Sequence, residues 1–253
     1  MKKKTKGIIL AGGKGTRLLP ITKVISKHLI PIYKKPLIYY PLELLIKAKI
    51  KDILIISDVK NIKLLKILLG NGSNQRIKIS YKIQKKPNGI SEAFILGKRF
   101  IGKDNVSLVL GDNIFYDNKK LPKLLDIALT NLKNNLCTIF GKKVQNPSEF
   151  GIAYFDKKNK LIDIIEKPKN ILSNIAVVGL YFFTNDVVKK VKLIKPSKRG
   201  ELEITDLLNK YRKKNNLSAE YLGRGGAWLD TGSIEDYYKT SLFVSAIENR
   251  QGF

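Results

Sequence analysis

The stretch Lys6-Gly7-Ile8-Ile9-Leu10-Ala11-Gly12-Gly13-Lys14-Gly15-Thr16-Arg17-Leu18 decides how the rest of the chain is read. Its first half is a short apolar run ended by glycines, the pattern of a buried strand. Its second half is a glycine-rich loop. Without Cβ atoms, backbone N–H groups can close on an anion, and Arg17 adds a planar guanidinium suited to phosphate oxygens. A strand that runs straight into such a loop places a ligand beyond its carboxyl end, where open α/β sheets bind theirs. The loop is not a Walker A sequence, because Gly15 follows Lys14 where Ser or Thr is needed. Nor is it a dinucleotide fingerprint, since Leu18 stands at the third glycine. Taken alone it is equally compatible with a tight strand-to-loop turn.

Outward from this loop, apolar strand-like runs alternate with helical ones. Ile53 to Ser57, Ile77 to Gln84 and Val106 to Leu110 read as strands; Pro41 to Lys47, Asn61 to Leu69, Ile90 to Phe100 and Leu121 to Leu132 read as helices. That alternation predicts a parallel sheet with right-handed crossovers. After about residue 136, strand-like runs cluster at Cys137–Lys142, Ile152–Phe155, Leu161–Glu166 and Ala176–Phe183. Helices near 186–192 and 203–214, a strand near Ser218–Leu222, Trp228-Leu229-Asp230 and a closing helix from Ile234 to Asn249 follow. The expectation is an α/β fold: a Rossmann-like, mixed but mainly parallel sheet flanked by helices. It forms one domain over 1–253, with a first part at about 1–135 and a second at about 136–253.

The 253 residues can bury about three quarters of the surface of the unfolded chain. No apolar run approaches the ~18–20 residues of a membrane helix. Met1-Lys2-Lys3-Lys4 before an apolar run resembles a signal peptide, but Lys14 and Arg17 interrupt that run at once. Cys137 is the only cysteine, which excludes an intramolecular disulfide and a cysteine-based metal site. A cytoplasmic location is the default expectation. The 48 Lys and Arg against 21 acids give a net charge of +27, a value met in nucleic-acid binders. The lysines are scattered among Asn and Ile, however, not gathered in a block or helical stripe. No specific nucleic-acid partner is therefore expected, and the field suits anionic small molecules.

Two aspartates follow apolar runs and adjoin glycine: Asp112 after Val106–Leu110, and Asp230 after Trp228-Leu229. Transfer between phosphates brings two polyanions together, and a hard divalent cation held by a few carboxylates is the expected device. Each aspartate alone would equally suit a turn or a helix cap.

The string from Gly12-Gly13 through Gly15-Thr16-Arg17, Pro20, Ser26-Lys27 and Pro31 closely resembles the signature of sugar nucleotidyltransferases. Leu110-Gly111-Asp112-Asn113-Ile114-Phe115-Tyr116 and Gly223 to Gly232 resemble the metal-binding segments of glucose-1-phosphate thymidylyltransferases. Ile38-Tyr39-Tyr40-Pro41, Gly200 to Asp206, and Glu248 to Gly252 fit the same subgroup, so the likeness runs from Lys6 to Gly252.

The resemblance implies a Mg²⁺-dependent enzyme joining dTTP to glucose 1-phosphate, releasing pyrophosphate. It implies nucleotide binding by Leu10, Gly12, Gly13, Gly15, Thr16, Arg17, Lys27 and Asp112, with Gln84 and Gly89 on the thymine. It places the sugar phosphate at Gly151, Glu166, Lys167 and Val177, the metal on Asp112 and Asp230, and catalysis on Arg17, Lys27, Asp112 and Asp230. Homo-oligomers are also expected from the family. Departures are His28 for a usual glutamine, Phe150 for a common tyrosine, and Ser91-Glu92 for a less charged pair. The sequence stops at Phe253, short of an extension that helps build a feedback site in many members, so feedback inhibition by a dTDP-sugar is not expected. Two alternatives stay open: the same chemistry with UTP or another sugar 1-phosphate, and a basic nucleic-acid-binding protein without turnover.

Overall fold

The chain's central strand, β1 (Thr5–Leu10), lies between two parallel neighbours, which explains why its sequence is apolar on both faces. The computed structural model describes residues 3–117 and 119–251; Met1, Lys2, Asn118, Gly252 and Phe253 lie outside the described residues. After β1 come a small hairpin, β2 (Pro31–Ile32) and β3 (Lys35–Pro36), then α1 (Tyr39–Lys47), β4 (Asp52–Ser57), α2 (Val59–Leu69) and β5 (Lys78–Ile83). The expected helix over Ile90–Phe100 is two short ones, α3 (Glu92–Leu96) and α4 (Lys98–Ile101). They break at Gly97, where a Cβ would stand 2.9 Å from both the Ala93 carbonyl oxygen and the Ile8 side chain of β1. Next are β6 (Asn105–Leu110), β7 (Asn113–Tyr116) and α5 (Lys120–Lys133).

The second half supplies β8 (Cys137–Lys143), β9 (Gly151–Phe155), β10 (Leu161–Glu166), β11 (Ile175–Phe183), α6 (Val187–Lys190), α7 (Ile204–Arg212), β12 (Leu217–Tyr221), β13 (Ala227–Asp230) and α8 (Ile234–Gln251). The sheet runs β10-β9-β11-β6-β1-β4-β5, with β8 also on β11 and β12 beyond it. Strands β6, β1, β4 and β5 are mutually parallel, and β11 is antiparallel to β6, β8 and β9. The sheet is thus mixed, with β11 and β10 reversed.

The long β11 shapes the cleft. Ile175 pairs with both Lys143 and Ala153, while Phe182 pairs with both Thr138 and Ser107. One edge of β11 therefore belongs to β8, and the other is shared end to end by β9 and β6. Because β11 runs past the carboxyl end of β6, the β9–β10 hairpin stands opposite the point where β6 stops at Leu110. Alternation on the parallel strands feeds two cores. Ile9, Ile55 and Val109 pack with α1 and α5 on one face. Ile8, Leu54 and Leu108 pack with Phe94, Leu207 and Tyr211 on the other. Each such fully buried side chain contributes roughly 1.5–3 kcal/mol. A third small cluster of Ile32, Leu37, Ile114 and Val244 docks α8 against the hairpin and β7. Among the described residues, no helix is long and apolar enough to cross a membrane.

Candidate active site

Leu10 ends β1, and its carbonyl accepts from the Gly111 N–H at 2.9 Å, so the glycine-rich loop and the Asp112 turn leave neighbouring strands side by side. Gly15 adopts φ 60°, a left-handed conformation that glycine takes without strain, and its carbonyl accepts from Thr22 Oγ1 at 2.8 Å. This opens a short 3₁₀ turn over Thr16–Leu18.

The two aspartates converge. Asp230 closes β13, which pairs antiparallel with β7 so that Asp230 faces Asn113. The Thr231 N–H and Oγ1 donate to the Asp112 carbonyl at 3.4 and 3.1 Å. The cap reading of Asp230 does not hold, because Ser233 caps α8, accepting from the Asp236 N–H at 3.1 Å. Lys27 forms an ion pair with the Asp112 carboxylate. Burial pushes the Asp112 carboxyl up, but the Lys27 charge and hydrogen bond outweigh it and hold the group below its ordinary range. Burial and then the Asp112 charge push Asp230 up, to about 7. Two oxygen-donor carboxylates facing each other in this way suit a hard divalent cation, which relieves their repulsion. Among the described residues no group of three or more acidic, His or Cys ligands gathers anywhere.

Two cavities flank this centre. One of about 280 Å³ is lined by Gly12, Gly13, Lys14, Lys27, Gln84 and Pro87. The other, of about 410 Å³, is lined by Arg17, Lys142, Phe150, Trp228, Asp230 and Asp236 among others. Arg17 is exposed and lies against Gly232, where a Cβ would stand 2.8 Å from Nη2. Phe150 meets the Trp228 ring edge-on at 5.2 Å, so the departure from tyrosine keeps an aromatic wall.

Gly151 and Glu166 are cross-strand partners at the ends of β9 and β10. The Glu166 carboxylate lies over Gly151, its Oε2 3.2 Å from where a Cβ would be. Lys167 follows with φ 44°, its N–H donating to the Phe150 carbonyl at 2.9 Å, and Val177 sits buried on β11 alongside. These four line neither of the two cavities and form a separate rim. Gly89 is on the loop beside Gln84, tied to the 199–203 segment by the Leu202 N–H, which donates to the Asn88 carbonyl at 2.8 Å.

The model of the nucleotidyl transferase family matches residues 6–246. The chain belongs to that family. Its relatives include the glucose-1-phosphate thymidylyltransferases of Neisseria meningitidis, 48% identical over 97% of this chain and 84% of the relative, and of Mycolicibacterium smegmatis, 45% identical over 98% and 84%. A Bacillus anthracis candidate glucose-1-phosphate thymidylyltransferase solved with sucrose superposes with a TM-score of 0.86 at 38% identity, covering 95% of each chain. A UDP-glucose pyrophosphorylase bound to UDP-glucose gives a TM-score of 0.82 at 26% identity, covering 96% of this chain and 98% of that one. Nucleotidyl transferases of this kind generally use a divalent metal.

Several polar side chains of this nucleotidyl transferase complete the site without a motif to announce them. Asn113 is buried; its Nδ2 donates to Asp112 Oδ1 at 3.0 Å, and its Oδ1 accepts from the Trp228 indole at 2.7 Å and the Gly179 N–H at 3.0 Å. Arg199 grips Glu203 through Nη2 at 2.9 Å and reaches Glu166 at 3.3 Å. Burial and then the Glu203 charge raise the Glu166 carboxyl against that cation. Asn113 and Glu203 belong to the Asp112 and Gly200–Asp206 strings, while Arg199 lies just outside the second and carries no sequence signal of its own. His28 is 1% exposed and sits 3.2 Å from Ser26 Oγ, and burial first, then the Lys27 charge, lowers its pKa to about 3. It is a packed, neutral imidazole.

Proposed function

We propose that the chain transfers a thymidylyl group from dTTP to glucose 1-phosphate, giving dTDP-glucose and pyrophosphate, with its residues in the following roles. The backbone from Leu10 through Thr16, with Arg17 and Lys27, holds the triphosphate, and Gln84 and Gly89 receive the base. Gly151, Glu166, Lys167 and Val177 hold the sugar phosphate. Residues of about 1–135 thus serve the nucleotide, and those of about 136–253 serve mainly the sugar.

The observation that carries this reading is the convergence of Asp112 and Asp230 beside Lys27, at the carboxyl end of the strand next to the glycine-rich loop. Asp112 and Asp230 would hold Mg²⁺, which when bound neutralises phosphate charge and draws the two substrates together. A sugar-phosphate oxygen attacks the α-phosphorus in line as the bond to pyrophosphate breaks. Lys27 and Arg17 offset the charge that moves to the leaving group, and Glu166 orients the sugar by accepting from its hydroxyls. Fixed charges of this kind are each worth on the order of 10²–10³ in rate.

The closest second reading is UTP in place of dTTP, favoured by the likeness to a UDP-glucose pyrophosphorylase. One methyl group discriminates by only about 1–3 kcal/mol, so some turnover of UTP is expected. The test is pyrophosphate release with Mg²⁺ and glucose 1-phosphate, comparing dTTP, UTP, CTP and ATP, with Asp112→Asn as control. Fastest release with dTTP, lost in the variant, supports the assignment. Preference for UTP overturns the base; no release with any nucleotide overturns the sugar phosphate or the activity.

A further inference from the structure

The side chain of Gln84 is 5% exposed at the head of the smaller flanking cavity, and its amide is not free to turn. Nε2 donates to Glu92 Oε2 at 2.7 Å. The other carboxylate oxygen, Oε1, accepts from Asn88 Nδ2 at 2.8 Å, and the Asn88 N–H reaches Oε2 at 3.4 Å. Glu92 is thus clamped from the loop on one side and holds Gln84 on the other. A carboxylate only accepts hydrogen bonds, so the group facing it must be the NH₂. That settles which way the amide points. Oε1 turns to the opposite side, over Gly12, where it would lie 2.5 Å from a Cβ if that residue had one. Among the described residues no donor reaches Oε1.

We propose that Glu92 is a specificity-determining positioning residue: by fixing the Gln84 amide, it presents an acceptor to the base pocket and so selects a pyrimidine with an imide N–H. This rests on the placement of the base at Gln84. Thymine and uracil carry a donor at N3 between two carbonyl oxygens; cytosine carries an acceptor at N3 beside an amino group. A locked Oε1 accepts from the first edge and faces a lone pair on the second. The remaining Nε2 hydrogen can reach an exocyclic carbonyl of the imide. A site built around a directed hydrogen bond rejects a mismatched partner far better than an apolar pocket does. Ser91, the neighbour of Glu92, donates to the Glu203 carbonyl at 3.1 Å and anchors the same loop to the sugar side.

The experiment is steady-state kinetics with dTTP and dCTP for the parent, Glu92→Gln, Glu92→Ala and Gln84→Ala proteins, with thermal melts of each. A glutamine at 92 can donate as well as accept, so it releases the lock while keeping size. The expected result is an increase of about tenfold in KM for dTTP in Glu92→Gln, with kcat little changed. The ratio of kcat/KM for dTTP over dCTP should fall at least tenfold. Gln84→Ala should lower dTTP kcat/KM at least as much. If Gln84→Ala has that effect but both Glu92 variants leave the nucleotide ratio unchanged, or slow both nucleotides equally, the lock is refuted and the base placement stands. If Gln84→Ala leaves dTTP turnover unchanged, the base placement itself fails and the inference with it. Measuring two Glu92 variants keeps the test decisive if one of them does not fold.

Discussion

The indole N–H of Trp228 donates to Oδ1 of Asn113 at 2.7 Å, and the same asparagine donates from Nδ2 to the Asp112 carboxylate. Asn113 thereby aims one candidate metal ligand using a contact from the strand that carries the other. Asn113→Ala would leave the Trp228 and Gly179 donors without their acceptor, at about 1–3 kcal/mol of stability. It should also weaken divalent-metal affinity by roughly 10–100-fold, the usual effect of losing a group that orients a ligand. Trp228→Phe removes one donor and keeps the packing on Phe150, so it should do less on both counts. Denaturant melts and metal titrations of pyrophosphate release check this; unchanged metal dependence in Asn113→Ala would show that Asp112 needs no such support.

Arg17 is exposed and makes no hydrogen bond or ion pair with any described residue. Its removal should leave stability within about 0.5 kcal/mol. In the role proposed for it at the phosphates, Arg17→Ala should nevertheless lose about 10²–10³ in turnover. Gly232→Ala provides a graded version, because its new Cβ would press on the guanidinium at 2.8 Å and shift it without removing the charge. Near-normal kcat in Arg17→Ala would take the residue out of the catalytic set.

Ile53–Ser57 and Val106–Leu110 were legible as strands because parallel strands buried on both faces leave uninterrupted apolar runs. Asn113–Tyr116 gives no strand signal: it is short, half exposed at one end, and owes its form to pairing with Ala227–Asp230, far away in sequence. The reversal of β11 left no local signal either, since its nine residues read as one apolar run whichever way the strand points. At the site, glycines and aspartates stood out because their spacing forms a motif. The roles of Asn113 and Arg199 did not, because each acts through partners that only the fold brings near. Asn113 meets Trp228 across 115 positions, and Arg199 meets Glu166 across 33.

Arg199 balances three carboxylates, Glu203, Glu201 and Glu166, of which Glu203 is the most buried. Without the cation, the repulsion from Glu203 is no longer offset and drives the Glu166 carboxyl further up. A protonated Glu166 accepts less well from sugar hydroxyls. Arg199→Ala should therefore raise KM for glucose 1-phosphate about tenfold, with KM for dTTP little affected. The defect should deepen as pH falls, because protonation of Glu166 then begins at a higher pH than in the parent. Arg199→Lys should recover only part of this, as an ammonium cannot reproduce the guanidinium fork. Equal rises in both KM values would point to general loosening of the 199–203 segment instead.

His28 offers a stability test independent of substrate. Its imidazole is ordinarily half-protonated at 6.5 but in the folded chain only at about 3, chiefly through burial, with the neighbouring Lys27 charge adding to it. Between those values the unfolded chain binds a proton that the folded chain refuses. Stability is therefore undisturbed by this group above 6.5 and falls as pH drops below it, by at most about 1.4 kcal/mol per pH unit. His28→Gln, which restores the residue usual in the family, cannot titrate. Between pH 7 and 5.5 the parent should lose about 1 kcal/mol more than the variant. Urea melts at the two pH values read this difference directly, with other titrating groups common to both proteins. Parallel losses would mean that the folded chain accepts the proton on His28, and that the ring has room and a partner for its charge beside Ser26.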